Sequence, residues 1–266
     1  KNFEQAVQSN TKVLYTETVG NPTLKISDIP ALAKIAKKMN LTLVVDNTFT
    51  PVIVSPAVLG ADIVVNSMTK FINGASDVIA GVICASKDFV YKLMDLHTGR
   101  VMLFGPTMDP RVAFDIIQRL PHLPLRMKEH SRRALAVARH LEKLGAPVVY
   151  PGLPSHPQYD LYTSLINEDY GYGGMLTLDC KTRQKAEKLM SILQNKERFG
   201  LIAVSLGYFD TLMSCSGSST SSEIPPEDQE KMGLSPGLVR MAIGYTGSLD
   251  ERIKQIERAV KSVGLV

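Results

Sequence analysis

Leu41-Thr-Leu-Val-Val-Asp46 and Ala61-Asp-Ile-Val-Val-Asn-Ser-Met-Thr-Lys70 are the two stretches that decide the fold of this 266-residue chain. Each contains a short apolar run rich in β-branched residues, which is typical of a strand buried in a parallel sheet. The first run stops on Asp46, and the second leads into a polar turn that ends with Lys70. Because open α/β sheets bind ligands at the carboxyl ends of their strands, we expect both ends to border one crevice.

The turn that ends with Lys70 carries side chains that suit an aldehyde cofactor with a phosphate group. A lysine in a polar pocket at a strand end can react as a free amine, while the hydroxyls of Ser67 and Thr69 can donate to a phosphate. Asp46 can hold a proton on a heterocyclic nitrogen through a charge-assisted hydrogen bond. A bare S-x-T-K sequence is more often an exposed turn, but the strand pair and Asp46 favour a pyridoxal phosphate site. Lys70 is therefore the predicted catalytic residue.

Alternating strand and helix patterns predict an α/β unit with a mostly parallel sheet up to residue 145. Its predicted strands are 13–18, 41–46, 61–66 and 78–84, and its predicted helices are 29–39, 87–96, 110–120 and 126–144. Asp28 or Ser27 suits the amino-terminal cap of the first of these helices, and Gly145 suits the end of the last.

A series of prolines between Pro147 and Pro157 predicts a domain boundary near residue 145, followed by a smaller α+β unit over 146–266. The predicted strands of this unit are 174–179, 201–205 and 238–243, and its predicted helices are 185–194 and 249–263. The polar run 214–222 has the composition of a linker, but its place between two strands equally predicts an ordered active-site loop.

Arg240 lies within the apolar strand pattern Leu238-Val-Arg-Met-Ala-Ile243, where an unpaired guanidinium would lose much hydration energy. Its planar fork suits a bidentate carboxylate. From the residues alone, that carboxylate belongs either to a protein acid or to a substrate. Ser205 is likewise either a turn hydroxyl or a second contact to the same carboxylate.

Composition and charge limit the classes of function. With 44% hydrophobic and 21% charged residues the chain can build a globular core, and its net charge of +4 is slight, so nucleic-acid or membrane binding is not indicated. The three cysteines are odd in number and, like the five histidines, lack metal-ligand spacing, so we expect reduced thiols, no metal and a cytoplasmic location. No apolar run approaches the roughly 18 residues needed to span a bilayer, and the first residues lack a signal-peptide pattern.

Several further stretches, in order, resemble the Cys/Met-metabolism family of pyridoxal phosphate enzymes, which includes cystathionine gamma-synthase, the cystathionine lyases and methionine gamma-lyase. They are Glu17-Thr-Val-Gly-Asn-Pro-Thr23, Val44-Val-Asp-Asn-Thr-Phe49, Pro56-Ala-Val-Leu-Gly-Ala-Asp62, Asn66-Ser-Met-Thr-Lys-Phe71, Gly74-Ala-Ser-Asp-Val-Ile-Ala-Gly81, Val204-Ser-Leu-Gly207 and Leu238-Val-Arg-Met-Ala-Ile-Gly244. The resemblance implies the pyridoxal phosphate transferase fold of type I, which is aspartate aminotransferase-like. In that fold 1–145 is the carboxyl-terminal portion of the large cofactor-binding domain, and 146–266 is the smaller domain.

The resemblance also implies roles for the candidate site residues. Lys70 holds pyridoxal 5'-phosphate covalently, Asp46 faces the ring nitrogen, Ser67 and Thr69 bind the phosphate, Asn21 bonds the ring hydroxyl, and Ser205 and Arg240 hold the carboxylate of an amino-acid substrate.

Within the family, the stretches 97–103, 169–174 and 213–222 look most like plant-type methionine gamma-lyases. The expected activity is therefore that of a carbon–sulfur lyase, converting methionine into methanethiol, ammonia and 2-oxobutanoate. Cystathionine gamma-lyase or gamma-synthase activity is one alternative, because the residues that would hold the cofactor are shared across the family. Ala75 and Tyr208 stand where many relatives carry His and Gly, which leaves the exact substrate open. A catalytically silent partner subunit is the other alternative.

The family's amino-terminal portion supplies an aromatic ring stacked on the cofactor and a glycine-containing phosphate cradle. It also supplies residues that reach a neighbouring subunit's phosphate. None of these elements precedes Lys1 in this sequence. We therefore expect the sequence to be a fragment whose site is incomplete, from a homo-oligomer assembled as a dimer of dimers.

Overall fold

The computed structural model describes residues 2–216, 225–231 and 234–266. The helices are α1 (Asn2–Ala6), α2 (Ile29–Lys38), α3 (Lys87–Met94), α4 (Arg100–Phe104), α5 (Pro110–Arg119), α6 (Leu123–Lys143), α7 (Tyr159–Leu165), α8 (Arg183–Ser191), α9 (Pro226–Lys231) and α10 (Leu249–Ser262). The strands are β1 (Val13–Glu17), β2 (Thr42–Asp46), β3 (Ile63–Ser67), β4 (Gly81–Ala85), β5 (Val148–Val149), β6 (Met175–Asp179), β7 (Leu201–Ile202), β8 (Leu212–Cys215) and β9 (Leu238–Ala242). Short helical turns lie at Met68–Ile72, Leu120–His122, Glu168–Tyr170 and Ile192–Lys196.

The first sheet has the strand order β1-β2-β3-β4. Strands β1, β2 and β3 run parallel, and β4 pairs antiparallel with β3 at the edge. The predicted mostly parallel sheet is therefore confirmed. Glu17 pairs with Asp46, and Asp46 pairs with Val65, so the carboxyl ends of the three parallel strands lie along one edge.

The two faces of this sheet differ because successive side chains of a strand point to opposite sides. Leu43 and Val45 of β2 are fully buried, in the same core as the apolar residues of α2. Helix α2 begins where Asp28 accepts a hydrogen bond from the backbone N–H of Ala31, as the sequence predicted. Asp46 lies on the opposite face, since it is an odd number of residues from Val45.

The second sheet has the strand order β5-β6-β9-β8-β7, with antiparallel pairs except between β7 and β8. One of its faces packs on α6, α8 and α10 around Leu176, Met213 and Met241. On the other face, Arg240 pairs in register with Thr177 and Ser214. All three of these polar residues are buried, so the guanidinium lies within the protein and not on its surface.

Helix α6 contributes to both hydrophobic cores. Leu123 and Met127, near its amino end, pack with the first sheet, whereas Val137 and Leu141 pack with the second. Leu212, from the second sheet, also lies in the first core. Through α6 and these strand residues the two sheets are packed together, and the division at residue 145 remains a prediction.

Most predicted elements occur within a few residues of their expected bounds, but several predictions were wrong. The strand predicted over 201–205 ends at Ile202, so Ser205 lies in a loop. The strand predicted over 78–84 begins only at Gly81, and the helix predicted to start at residue 126 starts at Leu123. Strands β5 and β8 and helices α4, α7 and α9 were not predicted.

The polar run 214–222 begins inside β8, so its first two residues are strand and not loop. Its residues 217–222 lie outside the described residues, and the predicted active-site loop is therefore untested there. Among the residues that are described, no helix is both long and apolar enough to cross a membrane.

Candidate active site

Lys70 lies on the helical turn Met68–Ile72, which follows β3 directly. Its side-chain Nζ donates a hydrogen bond to the hydroxyl oxygen of Ser205 at 3.1 Å. Burial lowers the pKa of Lys70, and the positive charge of Arg240 lowers this pKa further. Both effects increase the fraction of Lys70 that is a free amine, the form that reacts with an aldehyde.

Gly207 allows the loop that carries Ser205 to approach the turn that carries Lys70. It has a positive φ of +76°, and a Cβ atom built on it would lie 2.4 Å from the backbone N of Phe71. The same Cβ would lie 2.8 Å from the carbonyl carbon of Lys70. No side chain fits between the two segments, so glycine is required for the contact between Ser205 and Lys70.

Arg240 is only 2% exposed, and burial lowers its pKa to about 10. Its Nη1 donates to the side-chain oxygen of Asn21 at 3.1 Å, and its Nη2 donates to the backbone oxygen of Ser205 at 3.1 Å. Within the described ranges, no protein carboxylate forms an ion pair with it. The alternative of a structural salt bridge therefore finds no partner there, and the guanidinium is available for a carboxylate ligand.

Lys70, Ser205, Arg240 and Asn21 thus form one cluster, although they are far apart in the sequence. Ser205 is its centre, because its hydroxyl accepts from Lys70 and its backbone carbonyl accepts from Arg240. The cluster joins Ser205 and Arg240, the two predicted carboxylate ligands, to Lys70 and Asn21 of the predicted cofactor set, and the role of each residue remains a prediction.

Asp46 and Ser67 form a second group, on the sheet face opposite α2. The carboxylate of Asp46 accepts from the backbone N–H of Thr48 at 2.9 Å and from the hydroxyl of Tyr15 at 3.2 Å. The hydroxyl oxygen of Thr48 in turn accepts from the backbone N–H of Ser67 at 2.8 Å. Thr48 therefore links the carboxylate to the start of the turn that carries Lys70.

A cavity of about 770 Å³ lies over this face, and Asp46 and Ser67 are among its lining residues. Apolar side chains of β4, α3, α4 and α5 form much of the remaining wall. This volume is in the range of sites for small molecules. Lys70 is not among the lining residues of this cavity, so a crevice shared by Asp46 and Lys70 remains a prediction.

Thr69 is placed less favourably for its predicted role. Its hydroxyl oxygen accepts from the backbone N–H of Ala80 at 3.0 Å and donates to the backbone oxygen of Ala80 at 3.3 Å. These contacts attach the turn to the segment that enters β4. To bind a phosphate, the hydroxyl would have to exchange its long bond to Ala80 for a new one, so this role stays a prediction.

Sequence reasoning missed three residues that surround Asp46. Tyr15 and Thr48 bond to its carboxylate directly, and Glu17 is its neighbour in the sheet. Burial raises the pKa of Glu17, and the charge of Asp46 raises this pKa further, whereas a hydrogen bond from the N–H of Asn21 lowers it. The alternation of Tyr15 and Glu17 with apolar Leu14 could have placed them on the face of Asp46.

Comparison with known proteins identifies the family to which these residues belong. The sequence profile of the Cys/Met metabolism PLP-dependent enzymes matches residues 1–261. The chain belongs to this family. It is 54% identical over 253 residues to methionine gamma-lyase of Arabidopsis thaliana, covering 95% of this chain and 57% of that protein.

Two other relatives and a solved structure extend the comparison. Identity is 39% over 264 residues to L-methionine gamma-lyase of Porphyromonas gingivalis, covering 98% of this chain and 64% of that protein. It is 36% over 261 residues to cystathionine gamma-lyase of Dictyostelium discoideum, with 97% and 65% covered. The crystal structure of cystathionine gamma-lyase from Lactobacillus plantarum complexed with L-serine matches with a TM-score of 0.86 and 28% identity, covering 98% of this chain and 67% of that one.

These matches confirm the predicted family, its fold class and its cofactor. The chain spans 57% of the length of the Arabidopsis relative and 64–65% of the other two curated relatives. For that reason the activity of the whole protein, its substrate and its partners are treated as proposals.

The residues of this chain fit pyridoxal phosphate. Lys70 is an amine whose pKa is lowered, and within the part of the chain that the structure describes its Nζ donates one hydrogen bond, to Ser205, out of the three that an ammonium can donate. Asp46 is a carboxylate that lines a cavity and, with two bonds accepted, keeps further lone pairs for a protonated ring nitrogen. The donor set at this edge of the sheet is therefore suited to an aldehyde on a cationic ring.

Proposed function

We propose that the complete protein is a pyridoxal phosphate-dependent carbon–sulfur lyase that eliminates the gamma thiol of methionine. The reaction consumes water and gives methanethiol, ammonia and 2-oxobutanoate. The observation that carries this proposal is the contact of Lys70 and Arg240 with the same residue, Ser205. A reactive amine and a carboxylate-binding guanidinium within reach of one residue are what an amino-acid substrate requires.

Substrate binding follows from the cluster around Arg240. The guanidinium now donates to two neutral oxygens, those of Asn21 and Ser205, and an anionic carboxylate is a stronger acceptor than either. The hydroxyl of Ser205 can turn from Lys70 to the same carboxylate. This exchange releases the amine of Lys70 at the moment when the substrate is bound.

Lys70 is then placed to move a proton at the alpha carbon of the substrate. Burial, followed by the charge of Arg240, lowers its pKa and so increases the fraction of Lys70 in the basic form. When bound, pyridoxal phosphate supplies an electron-withdrawing ring that delocalises the negative charge left on that carbon. Asp46 holds the proton on the ring nitrogen, while Tyr15 and Thr48 keep the carboxylate oriented.

The remaining predicted ligands complete this proposal. We propose that Ser67 and Thr69 bind the cofactor phosphate and that Asn21 binds its ring hydroxyl. We also propose a large domain ending near residue 145, a cytoplasmic location and assembly as a dimer of dimers. Phe104, Phe114 and Ile117 are exposed apolar side chains on α4 and α5, and their burial by further protein surface would favour such an assembly.

Replacement of the proposed cofactor lysine tests this function. In the complete protein, Lys70→Ala should abolish both the visible absorbance of bound cofactor and the release of methanethiol. Lys34→Ala is the matched control, because Lys34 is exposed on α2. If Lys70→Ala keeps both signals, the assignment is wrong; if the unaltered protein shows no absorbance, it is a silent partner subunit.

A second candidate function is supported by the relatives named cystathionine gamma-lyase, one of which is 36% identical. The groups that would hold the cofactor and the substrate carboxylate are compatible with either substrate. The release of methanethiol from methionine and of cysteine from cystathionine, measured on the same preparation, distinguishes the two functions. A higher kcat/KM for cystathionine would replace the methionine proposal.

A further inference from the structure

A buried arginine of α6 holds the turn that carries Lys70. Arg126 is 7% exposed, and its Nη1 and Nη2 donate to the backbone oxygens of Phe71 and Ile72 at 2.5 and 2.7 Å. Its Nε donates to the ring nitrogen Nδ1 of His122 at 2.9 Å. The fork of the guanidinium thus binds two consecutive carbonyls immediately after the lysine.

Burying the guanidinium of Arg126 costs too much hydration free energy for its contact with the two carbonyls to be incidental. Burial of a guanidinium is unfavourable unless its N–H groups are bonded, and burial lowers the pKa of Arg126. The backbone also leaves room for it at Gly74, which has a φ of +78°. A Cβ atom on Gly74 would lie 2.4 Å from Nη1 of Arg126, so a side chain there would displace the guanidinium.

One turn further along α6, His130 joins the same turn to the end of β9. Its ring is fully buried and packs edge-on against the ring of Phe71, with centroids 5.1 Å apart. Its Nδ1 lies 2.5 Å from the backbone oxygen of Ile243, the residue after β9. Strand β9 carries Arg240, so His130 contacts both the lysine turn and the arginine strand.

We propose that Arg126 and His130 are positioning residues, which fix the turn of Lys70 against the end of β9 so that Lys70 and Arg240 meet at Ser205. This inference rests on the proposed function, because it concerns how the amine of Lys70 is presented to the cofactor. Neither residue contacts the atoms that react. Both act through the backbone and ring of Phe71 and through neighbouring backbone carbonyls.

The chain contains a matched control on the same helix. Arg133 is 9% exposed and donates to two consecutive carbonyls, those of Thr246 and Gly247, at 2.9 and 2.8 Å. Its burial and its pair of carbonyl contacts match those of Arg126, but its Nε donates to the carboxylate of Glu129 at 2.6 Å and not to a histidine, and its carbonyls lie in the loop before α10. If the buried arginines of α6 had a purely structural role, substitution at either position would have the same effects.

The experiment compares Arg126→Lys with Arg133→Lys in the complete protein. Three quantities are measured: the growth of visible absorbance on titration with pyridoxal phosphate, the rate at which an amine-directed reagent labels Lys70, and the midpoint of urea unfolding. Labelling is quantified by peptide mass spectrometry, and it needs neither cofactor nor turnover. We expect Arg126→Lys to change the cofactor affinity and the rate of Lys70 labelling by about tenfold, which corresponds to the loss of one charge-assisted hydrogen bond. In Arg133→Lys, both quantities should stay within about twofold of those of the unaltered protein.

The proposal would be overturned if the two substitutions had equal effects, or if Arg126→Lys changed neither the cofactor affinity nor the rate of Lys70 labelling. If Arg126→Lys does not fold, Gly74→Ala displaces the guanidinium without removing it, and normal Lys70 labelling in that variant would also overturn the proposal. The absorbance of the unaltered protein separates a failure of the proposed function from a failure of the positioning role. Absence of absorbance in the unaltered protein refutes the proposed function. Normal absorbance in the unaltered protein, with both absorbance and Lys70 labelling unchanged in Arg126→Lys, refutes only the positioning role.

Discussion

The Nζ atom of Lys70 lies 3.1 Å from the hydroxyl oxygen of Ser205, a residue 135 positions later in the chain. The same serine accepts from Arg240 through its backbone oxygen. One residue of a loop thus binds two cationic groups by two different atoms. Burial lowers the pKa of Lys70 and the charge of Arg240 lowers it further, so the arrangement favours the free-amine form of the lysine.

Ser205→Ala separates these two contacts, because alanine keeps the backbone carbonyl that binds Arg240 and loses the hydroxyl. We expect the KM for the amino-acid substrate to rise roughly fivefold and the free energy of unfolding to fall by about 1 kcal/mol, as for loss of one hydrogen bond. Steady-state kinetics and urea unfolding measure the two effects. Ser164→Ala removes an exposed hydroxyl of α7 and should change neither. A KM equal to that of the unaltered protein would exclude Ser205 from carboxylate binding.

How much the sequence could predict depends on whether a pattern is local. Asp46 and Lys70 were predicted correctly as strand-end residues because the apolar runs before them are periodic over several residues. Ser205 was placed in a strand because 201–205 has an apolar pattern, but β7 ends at Ile202. Strand β8 was missed because it has only four residues and runs into a polar segment.

Contacts between distant elements could not be predicted from such patterns. Helical spacing places Arg126 and His130 on one face of α6, since they are four residues apart. It does not reveal that this face meets the turn after β3 and the end of β9. The partners of the two residues are backbone carbonyls, which every residue has, and no side-chain motif marks them.

Gly207→Ala should destabilise the protein and impair cofactor attachment. The new Cβ atom would lie 2.4 Å from the backbone N of Phe71, and the residue would also be strained at its positive φ. We expect the free energy of unfolding to fall by at least about 2 kcal/mol, from strain and overpacking together. Urea unfolding and absorbance titration with pyridoxal phosphate measure the two effects.

Gly145→Ala is the control for the strain of the backbone alone. Gly145 ends α6 with a φ of +82°, and a Cβ atom there would meet nothing within 4 Å. Its substitution should cost about 1 kcal/mol and leave cofactor binding unchanged. If the two glycine variants lose equal stability and both bind cofactor normally, the close approach of Gly207 to the Lys70 turn is not important.

Modification of the thiols should be confined to Cys84 among the three cysteines. Cys84 is exposed, whereas Cys180 and Cys215 are buried. Burial raises the pKa of Cys180 to about 12, and the neighbouring charge of Asp179 contributes to this rise, so almost no thiolate forms there near neutral pH. Peptide mass spectrometry after brief treatment with a maleimide should find Cys84 labelled and the other two protected. Labelling of Cys180 at the rate of Cys84 would contradict the buried position of Cys180, the residue after β6.

Stability should fall as the pH decreases from about 6.5 to about 4, because of His130. Burial lowers the pKa of its ring from 6.5 to about 4, so in this window the unfolded chain binds a proton that the folded chain does not. The unfolded state is then favoured at lower pH, by up to about 3 kcal/mol. The measurement is the free energy of urea unfolding at pH values across this range.

His130→Asn isolates this contribution, because asparagine can donate to the backbone oxygen of Ile243 but does not titrate. Other groups act in or near the same window. His156, whose pKa burial lowers, acts in the same direction, as does Glu129, whose pKa is lowered to about 2 by its hydrogen bonds from Arg132 and Arg133. Glu17, whose pKa burial raises, opposes them. These groups remain in the variant, so the difference between the two proteins reports the loss of His130. We expect this difference to change by several kcal/mol between pH 4 and pH 6.5. The ring of His130 lies between the rings of Phe71 and Tyr245, with centroids 5.1 and 5.0 Å away. Parallel stability curves would mean that the ring is protonated in the folded state and is not enclosed in this way.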